Sequence, residues 1–81
     1  MRRDEAKEKL RRFITAELMG IADYPLTDSD ALVSGGLIDS FSLVHIAVFL
    51  EREFGVFVPE SELTADDFDT IEQIAARVER G

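Results

Sequence analysis

The residues of this chain whose types could do chemistry are concentrated in the stretch GGLIDSFSLV, where Asp39 and Ser40 stand between a glycine pair and an apolar run. Asp and Ser at such a boundary can cap a helix, and a serine can also act as a nucleophile. The single histidine, His45, lies about 140° from Ser40 around a helix, and no G-x-S-x-G elbow surrounds the serine. The residues alone therefore favour a helix cap, and we predict no catalytic residue.

Metal chemistry also has weak support in the sequence. Acidic side chains recur at Asp28 and Asp30 and again at 66–69, but neither group has the ligand spacing around a central glycine of a calcium loop. The chain has no cysteine, which excludes a disulfide, a thiolate nucleophile and a cysteine-based metal site. We interpret both acidic groups as solvated loops and predict no metal site.

The charge of the chain is unevenly distributed. Its net charge is −8, yet residues 1–12 hold six basic and three acidic residues, which leaves three basic and fourteen acidic residues, net −11, in residues 13–81. Nucleic acid and anionic membranes would be repelled by such a surface, whereas a partner with a basic patch would be attracted. The acids could equally serve only to keep a small domain soluble.

Length and hydropathy indicate one folded domain over residues 1–81, because 46% of the residues are apolar. The N-terminal MRRDEAKEKL lacks the apolar region of a signal peptide, and no apolar run approaches membrane-spanning length. We expect a soluble, cytoplasmic and monomeric protein that does not insert stably into a membrane.

The elements that must position Asp39 and Ser40 are helices. Apolar residues recur at helical spacing from Asp4 to about Met19, with Gly20 as the stop, and their stripe consists of Leu10, Phe13, Ile14, Leu18 and Ile21. A loop rich in Pro, Gly, Asp and Ser follows, with room for one short turn around residues 28–32. A loop of this length is more often functional than not.

The second helix is predicted from about Ser40 to Phe54, with Gly55 as its C-terminal cap. VFVPE is then extended, ESELTADDFDT has room for one helical turn, and the last helix begins near Thr70, capped by Asp69 or Thr70. Its apolar stripe is Ile71, Ile74, Ala75 and Val78. The pattern predicts an all-α fold, a small four-helix bundle of three main helices and one short helix with a long first loop.

The second helix has two apolar sectors. A helical projection places the core on one sector, formed by Leu43, Ile46, Ala47, Leu50 and Phe54. The adjacent sector begins with the serine and ends with an acid; it consists of Ser40, Phe41, Val44, Val48 and Glu51. This helix is either buried all round or exposes the second sector as an interaction strip. Phe49 falls nearly opposite Ser40, where we expect solvent or the long loop.

The stretches GGLIDSFSLVHIAVFLEREFGVFVPESEL and DDFDTIEQIAARVE resemble an acyl carrier protein over roughly residues 8 to 80. The resemblance consists of the serine motif Asp39-Ser40-Phe41, the LEREFG helix end, the Val58-Pro59 step and DTIEQIA at the start of the last helix. It implies that Ser40, next to Asp39, is esterified by a 4′-phosphopantetheine arm. The arm comes from coenzyme A through a phosphopantetheinyl transferase, which would make the chain a phosphoprotein. The thiol of the arm would hold an acyl or aminoacyl group as a thioester, and the carrier itself would catalyse nothing.

The resemblance further implies docking positions and a shelter for the cargo. Asp39, Phe41, Val44, Val48 and Glu51 match positions where the family docks its partners, which would include a ligase and an acyltransferase or synthase. Cargo shelter would involve Leu43, Ala47, Leu50 and Phe54.

Three departures from fatty-acid carriers are Ser42, His45 and Arg52, which stand where those carriers often have acids. Phe41 replaces the usual leucine beside the serine. GGLIDSF resembles stand-alone carriers with dedicated ligases, including D-alanyl carriers, but fatty acid, lipid and polyketide chemistry stay open. The alternative is an unmodified acidic helical adaptor that binds a basic protein, and Ser40→Ala would distinguish the two.

Overall fold

The regular structure is helical throughout the part of the chain that the computed structural model describes, residues 3–81. Helix α1 spans Arg3–Phe13 and continues as a π-helical segment, Ile14–Met19. After a loop over residues 20–41 come α2 (Ser42–Phe54), a 3₁₀ turn (Glu60–Glu62), α3 (Ala65–Phe68) and α4 (Ile71–Arg80). This architecture confirms the predicted bundle of three main helices and one short helix with a long first loop. No helix among residues 3–81 is long and apolar enough to cross a membrane.

The first helix widens into a π-helix in its second half, which the apolar spacing did not reveal. Thr15 is buried there, and its hydroxyl donates a 2.8 Å hydrogen bond to the carbonyl of Arg11. Such back-bonding competes with the regular helical ladder. Gly20 ends the helix in the left-handed conformation, at φ 72°, as predicted. The helical phase is lost at this point, so Ile21 does not join the core as its spacing suggested but is 48% exposed.

The basic residues of α1 pair with acids of the long loop and of α4. Lys7 Nζ lies 2.6 Å from Glu72 Oε2 and 3.2 Å from Asp28 Oδ2, and Arg3 Nε lies 3.0 Å from Glu79 Oε2. The hydrogen bond from Lys7 lowers the pKa of Glu72 and raises that of Lys7. The positive first helix is thus matched locally by the acidic remainder of the chain.

The hydrophobic core lies between α1, α2 and α4. From α2 it takes Leu43, Ile46 and Leu50, and the loop contributes Leu26, Leu32 and Ile38. Phe49 was expected in solvent or against the long loop, and the structure corrects this. Its ring stacks on Phe13 of α1 at a centroid distance of 4.2 Å and meets Phe54 edge-on at 5.9 Å.

The last helix begins with a reciprocal cap. Thr70 Oγ1 accepts a 3.1 Å hydrogen bond from the backbone N–H of Gln73, and the Gln73 side chain accepts one from the N–H of Thr70. Of the two predicted caps, Thr70 is therefore the one used, and the Asp69 carboxylate is free for other partners. The predicted apolar stripe is buried as expected: Ile71, Ile74, Ala75 and Val78.

Candidate functional site

The start of α2 is organised by the side chain of Asp39. Its Oδ1 accepts hydrogen bonds from the backbone N–H of Ser42, at 3.0 Å, and from the Ser42 hydroxyl, at 3.1 Å. The backbone bond from Ser42 N to the Asp39 carbonyl, at 3.1 Å, closes the same turn. The regular helix thus begins at Ser42 rather than at Ser40. The carboxylate of Asp39, three residues earlier, caps the N–H of this first helical residue.

Because Asp39 does the capping, the hydroxyl of Ser40 is left available. Ser40 is exposed, and its side-chain oxygen forms no hydrogen bond with any group of residues 3–81. Its backbone carbonyl accepts from Leu43 N at 3.3 Å, so the residue itself is held in the turn. The arrangement presents a fixed, solvent-facing hydroxyl with no internal base, which a second protein could modify.

The turn that leads to Ser40 is built around Leu32 and two glycines. The carbonyl of Leu32 accepts hydrogen bonds from the N–H groups of Leu37, at 2.9 Å, and Ile38, at 3.0 Å. Gly36 has φ 77°, a conformation that side chains disfavour, and a Cβ on Gly35 would lie 2.3 Å from the carbonyl oxygen of Ala31. Ile38 is buried, so the chain emerges from the core immediately before Asp39 and Ser40.

The second apolar sector of α2 is exposed. Phe41 is 81% accessible, Val44 51% and Val48 49%, and Glu51 is exposed as well. Helix α2 is therefore not buried all round. The predicted strip forms a continuous apolar surface that runs from the serine to an acid.

One large residue beside this strip, Phe57, was not predicted from the sequence; it is 66% exposed. In an extended segment alternate side chains point to opposite sides, and Val56 and Val58 are both buried. The VFV pattern could therefore have revealed that Phe57 faces outward. The groove between α2 and this segment has a volume of about 400 Å³ and is lined by Val44, Ala47, Val48, Glu51, Phe57, Val58, Glu60 and Leu63.

The four residues predicted to shelter a cargo lie in different surroundings. Leu43 and Leu50 are packed into the core, and Phe54 meets the ring of Phe49. Of the four, Ala47 lines the groove. Over residues 3–81, no three His, Cys, Asp or Glu side chains are grouped so that they could hold a metal ion.

The family described as "Phosphopantetheine attachment site" matches residues 8–78. The chain is a member of the acyl carrier protein family. It is similar to the D-alanyl carrier protein of Lacticaseibacillus casei (strain BL23), with 35% identity over 95% of each chain. It is 39% identical to the D-alanyl carrier protein of Streptococcus pyogenes serotype M5 (strain Manfredo) over 67% of each chain.

Membership of the acyl carrier protein family identifies the cofactor as 4′-phosphopantetheine, and it identifies the chain as a carrier that is not itself catalytic. The residues around the start of α2 fit such a group. Formation of a phosphodiester requires an accessible hydroxyl, and the positive end of a helix dipole favours the negative charge of the product. Ser40 has an exposed hydroxyl at this position.

Proposed function

We propose that Ser40 carries the 4′-phosphopantetheine arm and that the protein holds aminoacyl groups on it as thioesters. The observation that supports this most directly is the separation of roles between two neighbours. Asp39 caps α2, whereas the exposed hydroxyl of Ser40 has no hydrogen-bond partner among residues 3–81. A serine needed only as a cap would accept a backbone N–H, as Thr70 does at the start of α4.

In the attachment step Ser40 is the acceptor. Its oxygen bonds to the phosphorus of the pantetheine-bearing phosphate of coenzyme A, the nucleotide half leaves, and the hydroxyl proton passes to the transferase. No base within the carrier is required, which agrees with the position of His45 on the other side of α2. Once bound, the arm supplies the thiol that the cysteine-free chain lacks.

The surroundings of Ser40 suit the phosphate that this step leaves behind. The backbone N–H groups of Ser40 and Phe41 have no acceptor among residues 3–81, and they precede the 13-residue helix α2. Unsatisfied N–H groups and an aligned dipole at a helix start favour a nearby anion. These two groups are the ones that can hold the ester oxygens in place.

The partner face begins at Asp39 and continues along Phe41, Val44, Val48 and Glu51. Apolar contact on this strip gives affinity, and the two acids at its ends attract a basic enzyme surface. Small, partly charged interfaces associate quickly and dissociate readily. That behaviour suits a carrier that must visit a phosphopantetheinyl transferase, a ligase and an acceptor enzyme in turn.

An aminoacyl cargo is supported by the relatives and by the packing of the core. The similar proteins named above are D-alanyl carrier proteins. Leu43 and Leu50 fill the space between the helices. A long acyl chain would have to displace them, whereas a small aminoacyl group needs no such shelter. The proposed loading enzyme is therefore an aminoacyl ligase, and D-alanine is the first cargo to try.

Intact mass after incubation with coenzyme A and a broad-range phosphopantetheinyl transferase tests the attachment. Wild type and Ser42→Ala should each gain one phosphopantetheinyl group, and Ser40→Ala should gain none. Ser42→Ala is the matched control because it removes a neighbouring hydroxyl, one that donates a hydrogen bond to Asp39. If wild type gains nothing with several transferases, the unmodified acidic adaptor becomes the better interpretation.

The cargo is tested separately on the loaded protein. Holo protein is incubated with the ligase that charges the D-alanyl carrier protein of Lacticaseibacillus casei, together with D-alanine or L-alanine. A separate sample receives a medium-chain fatty acid and a ligase specific for fatty acids. A thioester formed with D-alanine and cleaved by hydroxylamine supports the proposal. Charging by the fatty acid alone would replace the aminoacyl cargo with an acyl one and leave the attachment site unchanged.

A further inference from the structure

The carboxylate of Asp69 fastens the loop that leads to Ser40, although the two residues are far apart in sequence. Asp69 Oδ1 accepts hydrogen bonds from the backbone N–H groups of Val33, at 2.8 Å, and Ser34, at 3.0 Å, and Oδ2 accepts from the Ser34 hydroxyl. Its carbonyl accepts from Leu32 N at 2.7 Å. Four bonds from three consecutive loop residues thus converge on one residue at the junction of α3 and α4.

Asp69 is itself held by the cap of α4. Its backbone N–H donates to Gln73 Oε1 at 2.8 Å, and Gln73 is the reciprocal partner of Thr70. Asp69 therefore moves with α4, the helix that contributes the largest share of packing against α1. Its carboxylate is therefore a fixed anchor for the loop.

The anchored residues are the ones that close the serine turn. The backbone carbonyl of Asp69 holds Leu32 N, and the carbonyl of Leu32 accepts from Leu37 and Ile38, directly before Asp39 and Ser40. The Asp69 carboxylate holds Val33, whose carbonyl accepts from Gly36 N at 3.1 Å within the same turn. Downstream, the serine is held by the Asp39 cap on α2.

We propose that Asp69 is a positioning residue for phosphopantetheine attachment: it fixes the turn over residues 32–38 and so sets where the Ser40 hydroxyl stands relative to the docking strip on α2. The inference rests on the proposed function of Ser40. Without the carboxylate, the turn is held by the bond from Leu32 N to the Asp69 backbone carbonyl, by the burial of Leu32 and Ile38 and by its internal bonds. Because Val33 and Ser34 are then released, the turn populates additional conformations. The strip itself is untouched, because its residues belong to α2 and its first turn.

This arrangement makes a distinctive kinetic prediction. A transferase that docks on the strip binds the variant as well as wild type but finds the serine correctly placed less often. Misplacement of a reacting group by about 1 Å can cost up to about a hundredfold in rate. Loss of the anchor should therefore lower kcat for loading about tenfold or more, with the KM for the carrier within about twofold of wild type.

The test compares Asp69→Ala with Asp66→Ala, because alanine removes both oxygens of the anchor, whereas asparagine would keep an acceptor for the N–H groups of Val33 and Ser34. Both variants remove one negative charge from the same acidic segment, but the Asp66 side chain makes no bond to the loop within residues 3–81. Ser34→Ala provides a second route to the same effect, since it removes the hydroxyl that donates to Asp69 and leaves the carboxylate in place. Loading is followed at several carrier concentrations with a broad-range transferase, well below each variant's Tm.

Amide hydrogen exchange of the unmodified proteins is measured in parallel, as it does not depend on loading. Asp69→Ala should speed exchange at the N–H groups of Leu37 and Ile38, whereas the α4 amides of this variant and all amides of Asp66→Ala should exchange as in wild type. This readout separates a loosened turn from a domain that has merely become less stable.

Equal kcat for Asp69→Ala and Asp66→Ala would overturn the inference. A raised KM with unchanged kcat for Asp69→Ala would also overturn it, because Asp69 would then be a docking residue. If wild type does not load at all, the proposed function fails, and hydrogen exchange alone tests whether Asp69 holds the turn. Unchanged protection of Leu37 and Ile38 in Asp69→Ala would then refute the anchor.

Discussion

The backbone N–H of Ser42 donates to the Asp39 carboxylate, with 3.0 Å between N and Oδ1, and this bond determines how the turn at the start of α2 is used. The bond caps α2 from the residue before the serine, and the Ser42 hydroxyl donates to the same oxygen, at 3.1 Å. Because the capping duty falls on Asp39, Ser40 can be modified without uncapping the helix. We therefore expect the turn to keep its shape when Ser40 carries the proposed arm.

Asp39 variants should separate capping from recognition. Asp39→Asn keeps an oxygen acceptor for Ser42 and should change the free energy of unfolding little, whereas Asp39→Ala should lower it by about 1 kcal/mol. Both remove a negative charge beside Ser40, so both should slow phosphopantetheinyl transfer. Urea unfolding and loading rate are measured on the same samples. If Asp39→Asn is loaded as fast as wild type, the charge of Asp39 plays no part in recognition.

Docking of the transferase should depend on salt and on Glu51. Residues 13–81 have a net charge of −11, and Glu51 is exposed at the end of the strip. Exposed charges are screened within about 8 Å at physiological ionic strength. We expect kcat/KM for loading to fall between 50 mM and 500 mM NaCl, and we expect Glu51→Gln to lower it at low salt. Glu5→Gln, on an exposed position of α1, is the control. A loading rate that is flat across this range would contradict electrostatic docking.

The stability of the domain should fall at acid pH partly through Asp69. The hydrogen bond from the Ser34 hydroxyl, followed by that from the Ser34 backbone N–H, lowers the pKa of Asp69. Because the folded pKa lies below the unfolded value of about 4, the ionised form stabilises the fold above pH 4. That contribution is lost as the pH falls through the folded pKa.

Ser34→Ala tests this acid-dependent contribution. It should lower the free energy of unfolding by about 1 kcal/mol at pH 7, a figure already discounted for the partial exposure of the pair, and by less at pH 3. Ser29→Ala, at another exposed serine of the same loop, is the control. Urea unfolding at the two pH values gives the comparison. An equal Ser34→Ala effect at both would show that the carboxylate charge is not involved.

Much of the fold was predictable because it follows from local chemistry. The stripe Ile71, Ile74, Ala75 and Val78 has helical spacing, and the Thr70 cap with Gln73 three residues later is a short-range signal. Gly20 and Gly55 marked two helix ends for the same reason, since both adopt left-handed conformations there. These signals need no knowledge of which helix packs on which.

The parts that escaped prediction depend on contacts between distant segments. A helical projection gives the direction of the Phe49 side chain, but it does not show that Phe49 packs against Phe13 of α1. Likewise, the four bonds to Asp69 join residues more than thirty positions apart in the sequence. The start of α2 was placed two residues early because Asp and Ser are both good caps. Only the geometry shows that Asp39 is the one used.

Phe57 should contribute to docking in the same way as the α2 strip. It is 66% exposed, and it borders the groove of about 400 Å³ that also contains Val44 and Val48. Exposed apolar patches of this kind mark interaction sites. We expect Phe57→Ser to raise the KM for loading several-fold with little change in kcat.

The matched control for Phe57→Ser is Ile21→Ser, because Ile21 is an exposed apolar residue of similar kind, 48% accessible, in the loop after α1. Both substitutions remove apolar surface that already contacts water, so both should leave the free energy of unfolding within about 0.5 kcal/mol of wild type. Loading kinetics are measured together with urea unfolding. If Phe57→Ser and Ile21→Ser load alike, the side of the groove formed by Phe57 lies outside the transferase interface, and docking is confined to the strip from Phe41 to Glu51.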